Sequence, residues 1–199
     1  PILNLKKENF TVYEDGKLQQ IENFSTTEAP FEVALLLDTS GSTRNDLRLI
    51  KRSAQNFINS LRVGDRVSII AFNKDYETDR KTKLQQEFSV SEVVIELTDD
   101  KNKLIEALEN VQTSNGTPYY DGMLKIVESV FNDPPRAEFR GRRALVALTD
   151  GVDSTSLSDF DEVKEELEKA GIVCYFIKVN TREYFEQNLL GDCENAIRF

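Results

Sequence analysis

Two apolar runs in this chain end in the same way, and that pattern limits the fold more than any other feature. Val33-Ala34-Leu35-Leu36-Leu37 runs into Asp38, and Ala144-Leu145-Val146-Ala147-Leu148 runs into Thr149-Asp150. An unbroken apolar strand needs cover on both faces, which is the situation inside a parallel sheet. Between and after these runs the spacing changes to that of amphipathic helices. Leu47, Ile50, Ala54, Phe57, Ile58 and Leu61 share one helical face, and Gly64-Asp65 stops it. Val67 to Phe72 then reads as a strand, and residues 74–90 as an exposed edge strand with weak alternation around Leu84 and Phe88.

A helix with Leu104, Ile105, Leu108 and Val111 follows, with Thr98, Asp99 or Asp100 as its cap. After the loop Thr113-Ser114-Asn115-Gly116, one helix carries Tyr120, Met123, Leu124, Val127, Val130 and Phe131, ended by Pro134-Pro135. Past the second apolar strand, Phe160, Val163, Leu167 and Ala170 form a helical face closed by Gly171. Ile172 to Val179 is a further strand, and Ala196-Ile197-Arg198-Phe199 a last short one. Alternating strands and helices of this kind build a doubly wound α/β fold with a mostly parallel central sheet flanked by helices.

The first thirty residues differ. Phe10 to Tyr13 alternates, Asp15-Gly16 marks a tight turn, and Leu18 to Phe24 resumes an extended pattern, so an N-terminal β-hairpin is expected. Ala29-Pro30 marks the boundary, giving a hairpin appendage over residues 1–30 and the main domain over 31–199. A lone hairpin is marginal in water, so it should pack on the main domain or on sequence outside this chain.

Composition removes whole classes of chemistry. There is no histidine among the 199 residues, which excludes histidine bases, Ser-His-Asp and Cys-His pairs, and imidazole metal ligands. Two cysteines, Cys174 and Cys193, are too few for a cysteine-based zinc site, and whether they pair stays open. The net charge of −10 argues against nucleic acid and anionic membrane as partners. No apolar stretch approaches the roughly 20 residues of a membrane span. The chain opens at Pro1 without a methionine, so the missing signal sequence says nothing of compartment. Carboxylate and hydroxyl chemistry remains, and with it hard metal ions.

In an open parallel sheet, ligands bind outside the carboxyl ends of the strands, where the strand order reverses. Asp38 and Asp150 should therefore face one crevice. Two carboxylates close together need a shared cation or proton. Asp38-Thr39-Ser40-Gly41-Ser42 sets oxygen side chains at alternate positions around a flexible Gly41. An all-oxygen set suits Mg²⁺, Mn²⁺ or Ca²⁺. Thr117, before Pro118, is expected to serve both as helix cap and as a metal-facing hydroxyl. Asp121 and Asp153 lie near the same edge and are expected to be solvated surface acids, with support of the site as the lesser role.

Asp38-Thr39-Ser40-Gly41-Ser42, Gly116-Thr117 and Leu148-Thr149-Asp150-Gly151, in that order, resemble the metal-ion-dependent adhesion site of von Willebrand factor type A domains. The resemblance covers residues 31–180, and the hairpin segment Phe10 to Gly16 resembles that of a bacterial group of VWFA-related proteins. It implies Asp38, Ser40, Ser42, Thr117 and Asp150 as metal-site residues, Mg²⁺ as the ion, and a non-enzymatic adhesion module. A protein partner would complete the site with an Asp or Glu. It also implies a secreted or cell-envelope location, and a closing helix that nothing up to Phe199 supplies. The alternative is a Mg²⁺-dependent phosphohydrolase with Asp38 as nucleophile. Haloacid dehalogenase-type enzymes, however, carry a second Asp where this chain has Ser40, and no lysine stands out at a strand end.

Overall fold

A computed structural model of the chain describes residues 5–22, 24, 30–79, 82, 84–134 and 142–179. Near its start, β1 (Val12–Glu14) and β2 (Lys17–Gln19) pair antiparallel. Asp15 and Gly16 between them both have positive φ, 49° and 75°, as a tight hairpin turn requires. The hairpin expected from Asp15-Gly16 is present, and every residue of its two strands is exposed.

The central strand is β3 (Glu32–Leu37), buried along its whole length. It is followed by α1 (Leu47–Ser60), β4 (Arg66–Thr78), β5 (Gln85–Thr98) and α2 (Lys101–Asn110). Then come α3 (Tyr119–Lys125), β6 (Arg143–Thr149), α4 (Phe160–Ala170) and β7 (Val173–Lys178). Five strands form one sheet in the order β5-β4-β3-β6-β7, all parallel except β5, which runs antiparallel to β4 at the edge. The chain winds outward from β3 to β5, then crosses back to place β6 on the other flank of β3. The strand order therefore reverses between β3 and β6.

Side-chain alternation in β3 splits the core into two layers. Val33, Leu35 and Leu37 pack with Ile50, Ala54 and Ile58 of α1 and Leu104 and Leu108 of α2. Ala34 and Leu36 face Tyr119 and Met123 of α3 and Val163 and Leu167 of α4. The helix stripes read from the sequence thus cover the sheet, except that Phe160 and Ala170 at the two ends of α4 are exposed. Asp100 caps α2 by accepting from the Asn102 and Lys103 amides, and Asp159 caps α4 through the Glu162 amide. Gly171, at φ 64°, closes α4.

Two expectations need correction. Residues 74–90 do not make one edge strand. β4 runs on to Thr78, turns, and returns as β5 through Thr98, so the edge is a long antiparallel ribbon. The helix expected through Phe131 is α-helical only to Lys125 and continues over Ile126–Val130 as a π-type turn. The expected last strand at Ala196–Phe199, the missing closing helix and Cys193 fall outside the described residues.

Candidate metal centre

β3 and β6 lie side by side in register, with Leu37 opposite Leu148, and this brings their following residues to one crevice. The Asp38 amide donates to the Leu148 carbonyl at 3.0 Å, extending the ladder by one step. Asp38 is 0% exposed and Asp150 8%. A chain of short contacts joins the two carboxylates. Ser40 Oγ donates to Asp38 Oδ1 at 2.5 Å, Ser40 and Ser42 Oγ lie 3.1 Å apart, and Ser42 Oγ donates to Asp150 Oδ2 at 2.6 Å. Four of the five residues read from the sequence are therefore in mutual contact. The turn that brings them there is held from behind. Thr43 Oγ1 donates to the Asp38 carbonyl, and Thr39 Oγ1 donates to the Phe72 carbonyl on β4.

Thr117 lies on the same rim and is 5% exposed, but its hydroxyl forms no hydrogen bond with those four. Its backbone exchanges two bonds with Ser154: the Thr117 amide donates to Ser154 Oγ, and the Ser154 amide donates to the Thr117 carbonyl. Its expected role as helix cap is overturned. α3 begins after Pro118, and the free amides of Tyr119 and Tyr120 donate to Asp153 Oδ2 at 2.9 and 3.3 Å.

Asp153 is therefore a cap supplied from another loop, not a solvated surface acid. Asp121 returns the arrangement, its carboxylate accepting from the amides of Leu157 and Ser158. Between them, Ser156 Oγ donates to Asp153 Oδ2 at 2.6 Å and accepts from the Asp121 amide. This clasp ties the loop after Asp150 to the start of α3, and so fixes Thr117 relative to Asp150.

Electrostatics single out Asp38. Burial first, and then the negative charge of Asp150, push its carboxyl above the ordinary carboxylate range, against the bonds from Ser40 and Thr149 that favour the charged form. Among the described residues, no lysine or arginine forms an ion pair with either acid. Two adjacent carboxylates and two hydroxyls, with no nitrogen or sulfur donor in the cluster and no cationic side chain paired with it among the described residues, fit a hard divalent ion. No group of three or more acids, histidines or cysteines suited to a metal occurs among the described residues.

The sequence model of the von Willebrand factor type A domain matches residues 32–197. The chain belongs to that family. Its fold is also similar to that of an aerotolerance-related membrane protein from Bacteroides fragilis NCTC 9343, solved with multiple mutations to serines. The two are 20% identical at a TM-score of 0.55, covering 75% of this chain and 67% of that one. Three N-terminal domains of the type V pili tip protein Mfa5 from Porphyromonas gingivalis align over 63% of this chain and 20% of theirs, at 16% identity and a TM-score of 0.47. No curated protein sequence matches significantly.

Within this type A domain, sequence reasoning missed the residues that orient the acids. Thr149 Oγ1 donates to Asp38 Oδ2 at 2.8 Å and accepts from the Gly151 amide, coupling the two strand ends directly. The hydroxyl run Ser154-Thr155-Ser156, immediately after Asp153, was the available signal for the clasp.

Proposed function

We propose that this domain is a non-enzymatic protein-binding module that depends on a divalent cation, Mg²⁺ above Mn²⁺ or Ca²⁺. Asp38, Ser40, Ser42, Asp150 and Thr117 would hold the ion, the first four already gathered and Thr117 placed on the rim by the clasp. The observation that carries this reading is the pair of shielded carboxylates, 0% and 8% exposed, with which no lysine or arginine among the described residues forms an ion pair. A bound cation supplies a point of positive charge that a carboxylate from outside can join. The partner, on this reading, is a protein offering an Asp or Glu. The domain proper is taken as residues 31–199, with 1–30 as an appendage. Its place is taken to be outside the cytoplasm, in the envelope or beyond, as the family resemblance implies; no helix among the described residues is long and apolar enough to cross a membrane.

The phosphohydrolase alternative finds no favouring observation. Both oxygens of Asp38 are occupied by hydrogen bonds from Ser40 and Thr149, and its carboxylate is shut off from solvent, which suits a buried ligand better than an attacking nucleophile. Calorimetric titration with Mg²⁺ tests the proposal on the native chain and on Asp38→Ala. Saturable binding is expected for the first and none for the second, and equal binding by both would refute it.

A further inference from the structure

A groove of about 1080 Å³ lies along the clasp that links the Asp121 and Asp153 loops, and Asp121, Thr155, Leu157 and Ser158 line it. Residues 87–91 of β5 line it together with Leu124, Glu128, Leu157 and Glu162. Gly116 also lines it, so the groove comes within one residue of Thr117 along the chain, although none of the four gathered donors borders it. The approach there is tight: a Cβ on Gly116 would lie 2.8 Å from Thr155 Cγ2.

β5 is the outermost strand on its side of the sheet. Among the described residues, no backbone hydrogen bond joins its outer edge to another segment. Successive residues of β5 line the groove, so it borders both faces of the strand; on one face the side chains of Glu87, Ser89 and Ser91 are already bonded to Asn115, Gly116 and Pro118, which leaves the backbone edge for a partner. The exposed donors and acceptors of such an edge are a template for an added extended segment. At about 3.3 Å per residue, the five residues 87–91 match a segment of similar length.

Charge decides what that segment carries. A chain of net charge −10 repels an acidic partner at long range, and a bound cation offsets this only within a Debye length of about 8–10 Å. The groove wall carries Glu87, Asp121, Glu128 and Glu162 against Lys125 alone. Lys74 neutralises Glu87 at 3.1 Å, and Asp121 is held by backbone amides in the clasp. Glu128 and Glu162 are exposed and form no ion pair among the described residues.

We infer that the groove takes an extended protein segment that pairs with β5 and carries Lys or Arg beside the Asp or Glu that reaches the cation. The inference rests on the metal-dependent reading above and names the partner class for that site. The basic residues would meet Glu128 and Glu162, and they would also draw the partner through the domain's negative field.

Selection of a random peptide display library on the intact chain in Mg²⁺ tests it. Expected are peptides with an Asp or Glu flanked by Lys or Arg and apolar residues, released by EDTA. The best peptide should bind the double variant Glu128→Lys/Glu162→Lys at least about tenfold more weakly, with a reduced salt dependence. Both positions are exposed, so the variant should keep the native circular dichroism. Acid-containing peptides without basic flanks, undiminished binding by the double variant, or no enrichment at all would overturn the groove proposal. Basic peptides that lack an acid and survive EDTA would overturn the metal reading and leave the groove standing.

Discussion

Glu32 and Asp38 stand at opposite ends of β3, 2% and 0% exposed, yet their surroundings are opposite in sign. Glu32 lies between two arginines, with Arg66 Nη1 on Oε1 and Arg143 Nε on Oε2, each at 2.9 Å. Those arginines are themselves anchored, Arg66 to the Leu97 carbonyl and Arg143 to the carbonyls of Phe131 and Asp133. Asp38 instead meets the carboxylate of Asp150 and a ring of hydroxyls. At the first end the chain neutralises its own buried acid, which ties three strands together. At the second it brings two carboxylates together with no ion-pair partner among the described residues, the arrangement the proposed cation would neutralise.

Substituting the acids in turn gives the largest effect by which this contrast can be broken. Glu32→Gln leaves two partly buried guanidinium groups without their counter-ion and should cost about 3 kcal/mol in urea unfolding, given the 3–5 typical of a broken buried pair. Asp38→Asn, measured without metal, relieves carboxylate repulsion and keeps most of the hydrogen bonds; stability should be unchanged or raised by up to about 1 kcal/mol. A comparable loss in both variants would mean that Asp38 is an ordinary structural acid.

Added Mg²⁺ should separate the two ends again, with the roles exchanged. An ion that binds only the folded state stabilises it by about 2.7 kcal/mol at a concentration a hundredfold above Kd. The native chain and Glu32→Gln should both show a rise in unfolding midpoint with Mg²⁺, reversed by EDTA, whereas Asp38→Asn should show none. A Mg²⁺ response surviving in Asp38→Asn would place the ion elsewhere.

How much of this contrast could be read in advance follows from where its contacts fall along the chain. The end bearing Asp38 and Asp150 was legible because strand burial is written locally, as unbroken apolar runs, and the parallel-sheet rule then puts both aspartates on one rim. The Glu32 end was not: its arginines lie 34 and 111 residues away, and nothing near them marks the pairing. The same holds for Asp153 and Asp121, whose partners across the clasp are 33 to 37 residues distant, so each resembled a surface acid. The β4–β5 ribbon was half-read for a different reason. β5 is only partly buried on both faces, which blurs the alternation that marks a strand, and its Thr98-Asp99-Asp100 end reads as the start of a helix.

The clasp refines the contrast by asking whether the cation end depends on its loops in a way the arginine end does not. Asp153→Ala removes the acceptor of the Tyr119 and Tyr120 amides and should cost about 1–2 kcal/mol, in the range of a lost helix cap. Asp153→Asn keeps one acceptor oxygen and should recover most of that loss. If the clasp holds Thr117 in the site, Mg²⁺ affinity should fall in the alanine variant and return in the asparagine one. A stability loss with unchanged affinity would reduce Asp153 to a structural cap.

The smallest expected effect lies just beneath the acids. Tyr119 is 0% exposed, and its hydroxyl is the one buried side-chain polar atom among the described residues that lacks a hydrogen-bond partner. Burial and the nearby charge of Asp38 push its ionisation upward, so the group stays neutral and contributes only an unmet polar contact. An unsatisfied buried hydroxyl costs about 1–3 kcal/mol, whereas Phe at the same position retains the ring and its packing. Tyr119→Phe should therefore raise stability by about 1 kcal/mol in urea unfolding and leave Mg²⁺ affinity within about twofold, since the phenol touches none of the four gathered donors. A loss of stability would show that a buried water satisfies the hydroxyl. A loss of Mg²⁺ affinity would instead extend the cation end of β3 one layer deeper than its carboxylates and serines.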